Sequence, residues 1–315
     1  MSITLLKAGL QTTLQGAPFR GHRHLGMPSA GAADGLSLAL ANGLVGKSGG
    51  AIAFEITLTD TIFEIMEPCL IAVVGSAEFV RINGTDRPQH QTRAVLPGDS
   101  LHIGPSLAGC RTYLATSAEI HAEELLGGKS TYLAAHLGGF HGRAFKDGDI
   151  VELLQETSAG NIDRITPPAL RPHYGDDHVL RVTPGPEANS PPKGLMLDFC
   201  HATYTVGARA SRMGMLLEGP PLGTGEFSNM ASAAVFPGTI QLPPSGQPYV
   251  LGPDAQTTGG YPRIAQVIRA DRHLIGQLRP GSRVQFVQTT TERATEIYRE
   301  KLSLLTSWLG QIDLW

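Results

Sequence analysis

Apolar and polar residues alternate in short runs along most of the chain, and glycine, proline or asparagine ends nearly every run. Period-two alternation bounded by such breakers predicts strands. Ile3 to Leu14 begins as one and ends at a polar turn. Others are expected at Ala51–Leu58, Thr61–Ile65, Leu70–Val74 and Glu78–Ile82, with Asn83-Gly84 as a hairpin turn after them. Later strands are expected at Val179–Pro186, Pro248–Gly252 and Ile264–Ile268. The period changes twice. Leu36, Leu40 and Leu44 lie four apart, which predicts a helix over Gly35–Leu44 with Asp34 as its N-cap. In the tail, Ala294, Ile297, Tyr298, Leu302, Leu305 and Leu309 fall near helical spacing over Glu292 to Gln311. That helix either docks on its own chain or offers a partner surface.

Three stretches echo one another: Leu96-Pro97-Gly98-Asp99, Lys146-Asp147-Gly148-Asp149 and Arg279-Pro280-Gly281-Ser282, each followed by an alternating strand. A Pro/Asp-Gly pair suits a type II turn. The echo suggests two halves of similar build, though chance recurrence of a common turn would look the same. A Pro-rich polar stretch at 166–178 separates the halves, which predicts one domain over 1–165, a second over 179–290, and a C-terminal helix over 291–315.

Composition sharpens this outline. Hydrophobic residues make up 41% and charged residues 17%, enough for a packed core. With 38 glycines and 22 prolines, turns and short strands are favoured over long helices, so a mainly β fold is expected. The net charge of −3 and the lack of a basic run argue against nucleic acid as a partner. Cys69, Cys110 and Cys200 are scattered and odd in number, as in a reduced, cytoplasmic protein. The first residues lack a signal-peptide pattern, and no run approaches about 18 apolar residues, so no membrane span is expected.

Candidate chemistry centres on Gln256-Thr257-Thr258-Gly259-Gly260-Tyr261, set between two predicted strands. Paired glycines allow positive φ and close approach, and two hydroxyls with open N–H groups suit an anionic or carbonyl-bearing ligand. A tight turn that satisfies its own backbone would read alike. Arg212 could grip a carboxylate or phosphate, with Glu218 as base or counter-ion; a structural Arg–Glu pair across strands is the alternative. Glu55 lies on an apolar strand beside Phe54 and Ile56, and alternation does not decide which way it faces. Ala41 to Ser48 fits a loose P-loop pattern, but its helix precedes the Gly-Lys-Ser, whereas a phosphate site needs it to follow. His22 and His24 would share a face in an extended segment, with no third ligand at metal spacing, so no metal is assigned. No Gly-x-Ser-x-Gly or His-Glu-x-x-His motif occurs.

These stretches together resemble the family called allophanate hydrolase subunit 2, or biotin-dependent carboxyltransferase-like. The resemblance is carried by Arg23-His24-Leu25-Gly26, Asp34, Ala41-Asn42, Phe54-Glu55-Ile56-Thr57, Arg111-Thr112-Tyr113-Leu114 and Leu137-Gly138-Gly139-Phe140. It continues through Thr183-Pro184-Gly185-Pro186, Arg212-Met213-Gly214, Leu217-Glu218-Gly219-Pro220 and the run from Gln256 to Phe286. It implies two cyclophilin-like β-barrel domains with a shared cleft. Arg212, Glu218 and Glu55 would be catalytic, and Asp34, Asn42 and Gln256 to Tyr261 would bind substrate or anion.

The activity it implies is that of a C-type subunit of a bacterial ATP-dependent 5-oxoprolinase. Its partners would be a B-type subunit, like allophanate hydrolase subunit 1, and an A-type subunit, acting on a small amide or lactam. ATP would be used by the whole assembly, with no metal or covalent cofactor in this chain, and self-association is possible. Two alternatives stand beside it: the carboxyltransferase component of a biotin-dependent urea or amide carboxylase, and a non-catalytic binder of a sensor-kinase inhibitor. The chain departs from the family pattern at Gly16, Phe19, Lys47, Ser211 and Leu216.

Overall fold

Three turns of one design set strand registers in the computed structural model of the protein, which describes residues 2–154, 163–188, 194–223, 230–312 and 314. Their glycines have positive φ, 88° at Gly98, 86° at Gly148 and 90° at Gly281, as the third position of a type II turn demands. Asp99, Asp149 and Ser282 close the turns by donating N–H to Leu96, Lys146 and Arg279 oxygens at 3.0, 3.1 and 3.0 Å. Their side chains also accept from the N–H groups of Leu96, Lys146 and Arg279, at 2.8, 2.7 and 3.2 Å. Each glycine N–H then donates to a neighbouring strand, at Ile65, Leu5 and Val206, and each of those residues donates its own N–H back. The echo in the sequence is therefore a repeated structural device.

The chain folds as two units. The first comprises Met1–Pro18, Asp34–Tyr174 and Leu304–Leu314. Its described strands form two sheets. One runs Glu119–Ile120, Ile150–Leu154, Ser2–Lys7, Thr61–Ile65, Ser100–Ile103, Val80–Ile82 and Thr85–Asp86 in spatial order; the other runs Gln11–Gln15, Ala53–Thr57, Arg111–Thr116, Cys69–Gly75 and Arg93–Val95. Ile3 to Leu14, expected to begin as a strand and end at a polar turn, is instead two strands in different sheets, broken at Gly9, whose φ is 70°. Both sheets contribute to one core, in which Phe54 meets Phe63 edge-on with centroids 5.1 Å apart. Asn83 (φ 51°) and Gly84 (φ 76°) make the expected hairpin turn.

Helix α1, Gly35–Leu44, packs on the Cys69–Gly75 and Arg111–Thr116 strands. All ten of its residues are buried, so it lacks the solvated back that a stripe of Leu36, Leu40 and Leu44 suggests. Small residues on that back permit the enclosure: a Cβ on Gly43 would lie 2.3 Å from Leu309 Cδ2 of the tail. Arg164 completes this contact by donating to Gly43 O and Trp308 O while its guanidinium sits 4.4 Å from the Trp308 ring centre.

The second unit comprises Phe19–Ala33 and Gly175–Ser303. It is a closed seven-stranded barrel in the order Asp177–Pro184, Arg263–Val267, Thr239–Gln241, Tyr249–Leu251, Gly214–Glu218, Thr203–Val206 and Arg283–Gln288. The parallel pairing of Asp177–Val182 with Arg283–Gln288 closes the ring, which removes exposed edges. Helix α2, Leu195–His201, inserts Phe199 into the barrel core, where it stacks on Phe286 at 4.4 Å. Two further helices follow, α3 at Arg272–Ile275 and α4 at Thr291–Leu309. The tail helix docks on its own chain: Tyr298 lies under Arg269, and Lys301 donates to Ala270 O at 2.7 Å.

The mainly β class, the closed barrel and the C-terminal helix agree with expectation. The division along the chain differs from the contiguous one drawn at 1–165, 166–178 and 179–290. Phe19–Ala33 belongs with the barrel, Leu304–Leu314 with the first unit, and the stretch read as a linker is in the first unit up to Tyr174. Among the described residues no helix is long and apolar enough to cross a membrane.

One buried side chain makes the first unit acid-sensitive. His90, at φ 60°, is pinned by backbone bonds to Val73 and Thr166, and its buried Nδ1 finds no partner among the described residues. Burial, aided by the Arg171 charge, pulls its pKa down to about 4. Between about pH 6.5 and 4 the unfolded chain therefore binds a proton that the native state refuses, so stability falls with pH across that window. From pH 7 to pH 5 the loss should be about 2 kcal/mol in urea denaturation. His90→Asn, which tolerates positive φ, should abolish most of that slope; an unchanged slope would exclude His90 as its source.

Candidate functional site

The site grows from one close approach between two barrel strands. Gly214–Leu216 pairs with Tyr249–Leu251, and the backbone just before and after this pairing is joined by Gly252 N–H to Met213 O and Asp254 N–H to Arg212 O. Only glycine fits at 252, because a Cβ there would lie 2.3 Å from Arg212 O. This approach places Arg212 against Asp254. Nε and Nη2 donate to the two carboxylate oxygens at 2.8 Å each, and Nη2 also donates to Gly31 O at 2.6 Å. Both side chains are only 4% exposed.

Gly31 belongs to the Phe19–Ala33 segment, which this contact anchors. Ala30 N–H adds a bond to Pro253 O at 2.9 Å, and Phe19 N–H closes the segment on Ser29 O at 2.7 Å. Within it Arg23–Leu25 forms a 3-10 turn, not the extended run that would align His22 with His24. Among the described residues no group of His, Cys, Asp and Glu is placed to hold a metal. The turn directs Arg23 to Val235 O, to Ser29 Oγ at 3.0 Å, and over the Phe236 ring at 5.0 Å. No carboxylate among the described residues pairs with it. Burial lowers its pKa from the ordinary arginine value, yet an arginine so placed stays charged.

Val235 links Arg23 to the glycine-rich loop, since its N–H donates to Thr257 O at 3.1 Å. Thr258–Gly259 pairs with Ala233–Ala234 as a two-stranded ribbon. Neither Gly259 nor Gly260 lies in the left-handed region, contrary to expectation. Gly259 lies close to Gln241: a Cβ there would fall 2.5 Å from Gln241 Nε2, and that amide would have to shift to admit it. Gln256, Thr258 and Tyr261 are exposed and Thr257 is half-buried. Their side chains form no hydrogen bond with another described residue. An uncompensated guanidinium, linked through Val235 to a loop that carries free hydroxyls, is suited to a carboxylate, a phosphate or a developing oxyanion. Arg263, by contrast, is neutralised by a two-pronged pair with Glu187 at 2.9 and 2.7 Å.

In the first unit the nominated residues form a buried polar network. Phe54 and Ile56 enter the core, so Glu55 faces the opposite way and is fully buried. Tyr113 donates to Glu55 Oε2 at 2.6 Å and accepts from Asp34 N–H at 2.8 Å, while Arg111 Nε lies 3.4 Å from Oε1. Asp34 caps α1 by accepting from Ser37 N–H at 2.9 Å and Ser37 Oγ at 2.5 Å. Ser37 has thereby spent its proton, so Tyr174 donates to Ser37 Oγ at 2.6 Å. Burial pushes both phenols well above their usual pKa, keeping them as donors. Asn42 is structural on its amide side, donating to Ala51 O at 2.8 Å.

One sequence reading needs correction and another holds. Glu218 is not the counter-ion of Arg212, because Asp254 occupies that guanidinium. Glu218 is exposed at the far end of the same strand, beside Arg209 and Tyr249 in a depression of about 400 Å³. The P-loop pattern fails as its context implied: α1 ends at Leu44, Gly46 turns the chain at φ 77°, and Lys47 Nζ donates to Ala118 O. Sequence reasoning passed over Asp254 and Arg23. The first stands two residues before Gln256, and the second lies between the two histidines that drew attention.

A family profile described as carboxyltransferase domain, subdomain A and B, matches residues 25–288. The C-type subunit of 5-oxoprolinase from Escherichia coli is 31% identical over 299 residues, covering 95% of each chain. Urea amidolyase of Saccharomyces cerevisiae is 28% identical over 320 residues, 94% of this chain and 17% of that protein. The crystal structure of Kluyveromyces lactis urea carboxylase superposes with a TM-score of 0.91 at 27% identity, over 100% of this chain and 30% of that one. The chain thus spans less than a third of the urea carboxylase it matches.

The Arg212–Asp254 pair yields a direct test. Asp254→Ala leaves a buried guanidinium without its anion and should cost about 3 kcal/mol or more in chemical denaturation. Glu218→Ala, at an exposed strand end, should stay within about 0.5 kcal/mol of the parent. Equal effects would contradict the assignment of Asp254 as the counter-ion.

Proposed function

We propose that this chain, which belongs to the carboxyltransferase domain family of subdomains A and B, works as the C-type subunit of a cytoplasmic, ATP-dependent 5-oxoprolinase. The observation that carries this reading is the two-way match to the E. coli protein, 95% of each chain at 31% identity. The urea amidolyase match, by comparison, occupies 17% of its protein. B-type and A-type subunits complete the enzyme in this reading, with 5-oxoproline and ATP as substrates.

The chemistry asks for what the barrel unit holds. A lactam is a poor electrophile, and phosphorylating its oxygen turns that oxygen into a leaving group. Both the 5-oxoproline carboxylate and the transferring phosphoryl group are anions that need cations and fixed donors. Arg23 and the Thr257 and Thr258 hydroxyls supply these. Arg212 and Glu55, each occupied by a buried partner, act as positioning residues. A carboxyltransferase role toward urea-like amides is the second reading, favoured by the 0.91 TM-score to urea carboxylase.

The test is 5-oxoproline-dependent ATP hydrolysis by the chain co-purified with B-type and A-type subunits. Arg23→Ala and Thr258→Ala should each lower kcat/KM about ten-fold or more, equivalent to ~1.4 kcal/mol, with thermal unfolding unchanged. Absence of turnover in a folded assembly of all three subunits would reject the proposal. Turnover of urea with carboxybiotin instead would establish the second reading.

A further inference from the structure

Lys47 follows the end of α1, where its N–H donates to Asn42 O at 2.9 Å. Its side chain turns inward, and Nζ donates to Ala118 O at 2.6 Å. That carbonyl belongs to a fully buried residue and also accepts from Thr116 Oγ1 at 2.8 Å. No carboxylate among the described residues lies within ion-pair distance of Nζ. The adjoining acid, Glu119, is held by Lys129 at 2.9 Å. Lys47, Glu119 and Lys129 line one cavity of about 490 Å³, with Ser48, Ile52 and Glu124.

A half-buried amine whose partner is a carbonyl gains little from being charged. Burial is the main cause that pulls its pKa to about 8, and Glu119 opposes the shift only in part. At pH 7.5 about a quarter of the molecules then carry a neutral, nucleophilic amine. Such an amine is a weak receptor for anions and a good acceptor of small electrophiles.

We propose that Lys47 is a carbon dioxide acceptor, forming a carbamate in this cavity beside the Lys129 cation. The nitrogen lone pair forms the N–C bond, one C=O π pair moves onto oxygen, and nitrogen releases a proton to water: R–NH2 + CO2 gives R–NH–COO⁻ + H⁺. No oxidant or leaving group is needed. The carbamate nitrogen keeps one N–H, so the bond to Ala118 O survives while the new carboxylate enters the cavity. Lys129, shared with Glu119, supplies the positive charge that faces the product. This site draws on nothing in the 5-oxoprolinase reading.

The experiment uses the full chain in 13C-bicarbonate buffer at pH 7.5 to 8.5, followed by 13C NMR and by triethyloxonium trapping with peptide mass spectrometry. Trapped carbamate is expected at Lys47 at least five-fold above exposed Lys146. Lys47→Arg should remove the NMR signal. Lys129→Gln should cut occupancy at least five-fold, because it removes the cation and frees Glu119 to pair with Lys47. Circular dichroism melts would confirm that both variants fold. Equal trapping at Lys47 and Lys146, a signal that survives Lys47→Arg, or full occupancy in Lys129→Gln would each overturn the proposal.

Discussion

A buried guanidinium and a buried carboxylate are tolerated only when each meets the other with good geometry, and Arg212 and Asp254 meet this condition. The pair is no stronger in principle than well-packed apolar groups. Its effect is to specify an arrangement. Arg212 stands two residues before one barrel strand, Asp254 lies in the segment leading to the glycine-rich loop, and Gly31 O brings in the Phe19–Ala33 segment. Arg23 sits eight residues before Gly31 and Thr257 three after Asp254. The register of the pair therefore sets where the free guanidinium and the free hydroxyls stand. A slip would orphan two charges that are almost shut off from water, so alternatives are disfavoured by several kcal/mol.

Much of the fold was legible because its signals are local. The three Pro/Asp-Gly turns need one glycine at positive φ and one polar residue after it, and both requirements can be read along the chain. Asp34 as N-cap and Gly35–Leu44 as helix are local for the same reason. Burial of the whole helix was not legible: it depends on Leu309 and Trp308, more than 260 residues away in sequence. The break at Gly9 was missed because the polar run Gln11-Thr12-Thr13 reads as a turn, whereas it belongs to a strand of the other sheet. The assignment of Phe19–Ala33 to the barrel rests on Pro253 and Arg212, which no local pattern foretells.

The polar residues follow the same division. Arg212 stood out by type and setting, but its counter-ion could not be chosen by nearness in sequence. Glu218 is six residues away and points elsewhere, whereas Asp254 is brought near by strand pairing. The face of Glu55 became clear only once Phe54 and Ile56 were seen in the core and Tyr113 opposite. The loop at Gln256–Tyr261 was legible as a loop, yet its glycines serve another end than the one expected. Gly259 lies close to Gln241 and Gly260 faces Met230 O, and neither supplies a left-handed backbone.

Arg23 and Lys47 show how one circumstance gives opposite chemistry. Both cations are partly withdrawn from water, both rest on a backbone carbonyl, and neither pairs with a described carboxylate. Burial lowers the pKa of each. A guanidinium starts so high that the shift leaves its charge intact, and the exposed ribbon beside it offers only hydroxyls and amides. It remains a receptor for anions. An ammonium starts about two units lower, and its own burial brings it to about 8. Its neutral fraction presents a lone pair. The identity of the side chain, more than the setting, thus decides whether an uncompensated cation binds a charge or forms a bond, and the two units of this chain carry one of each.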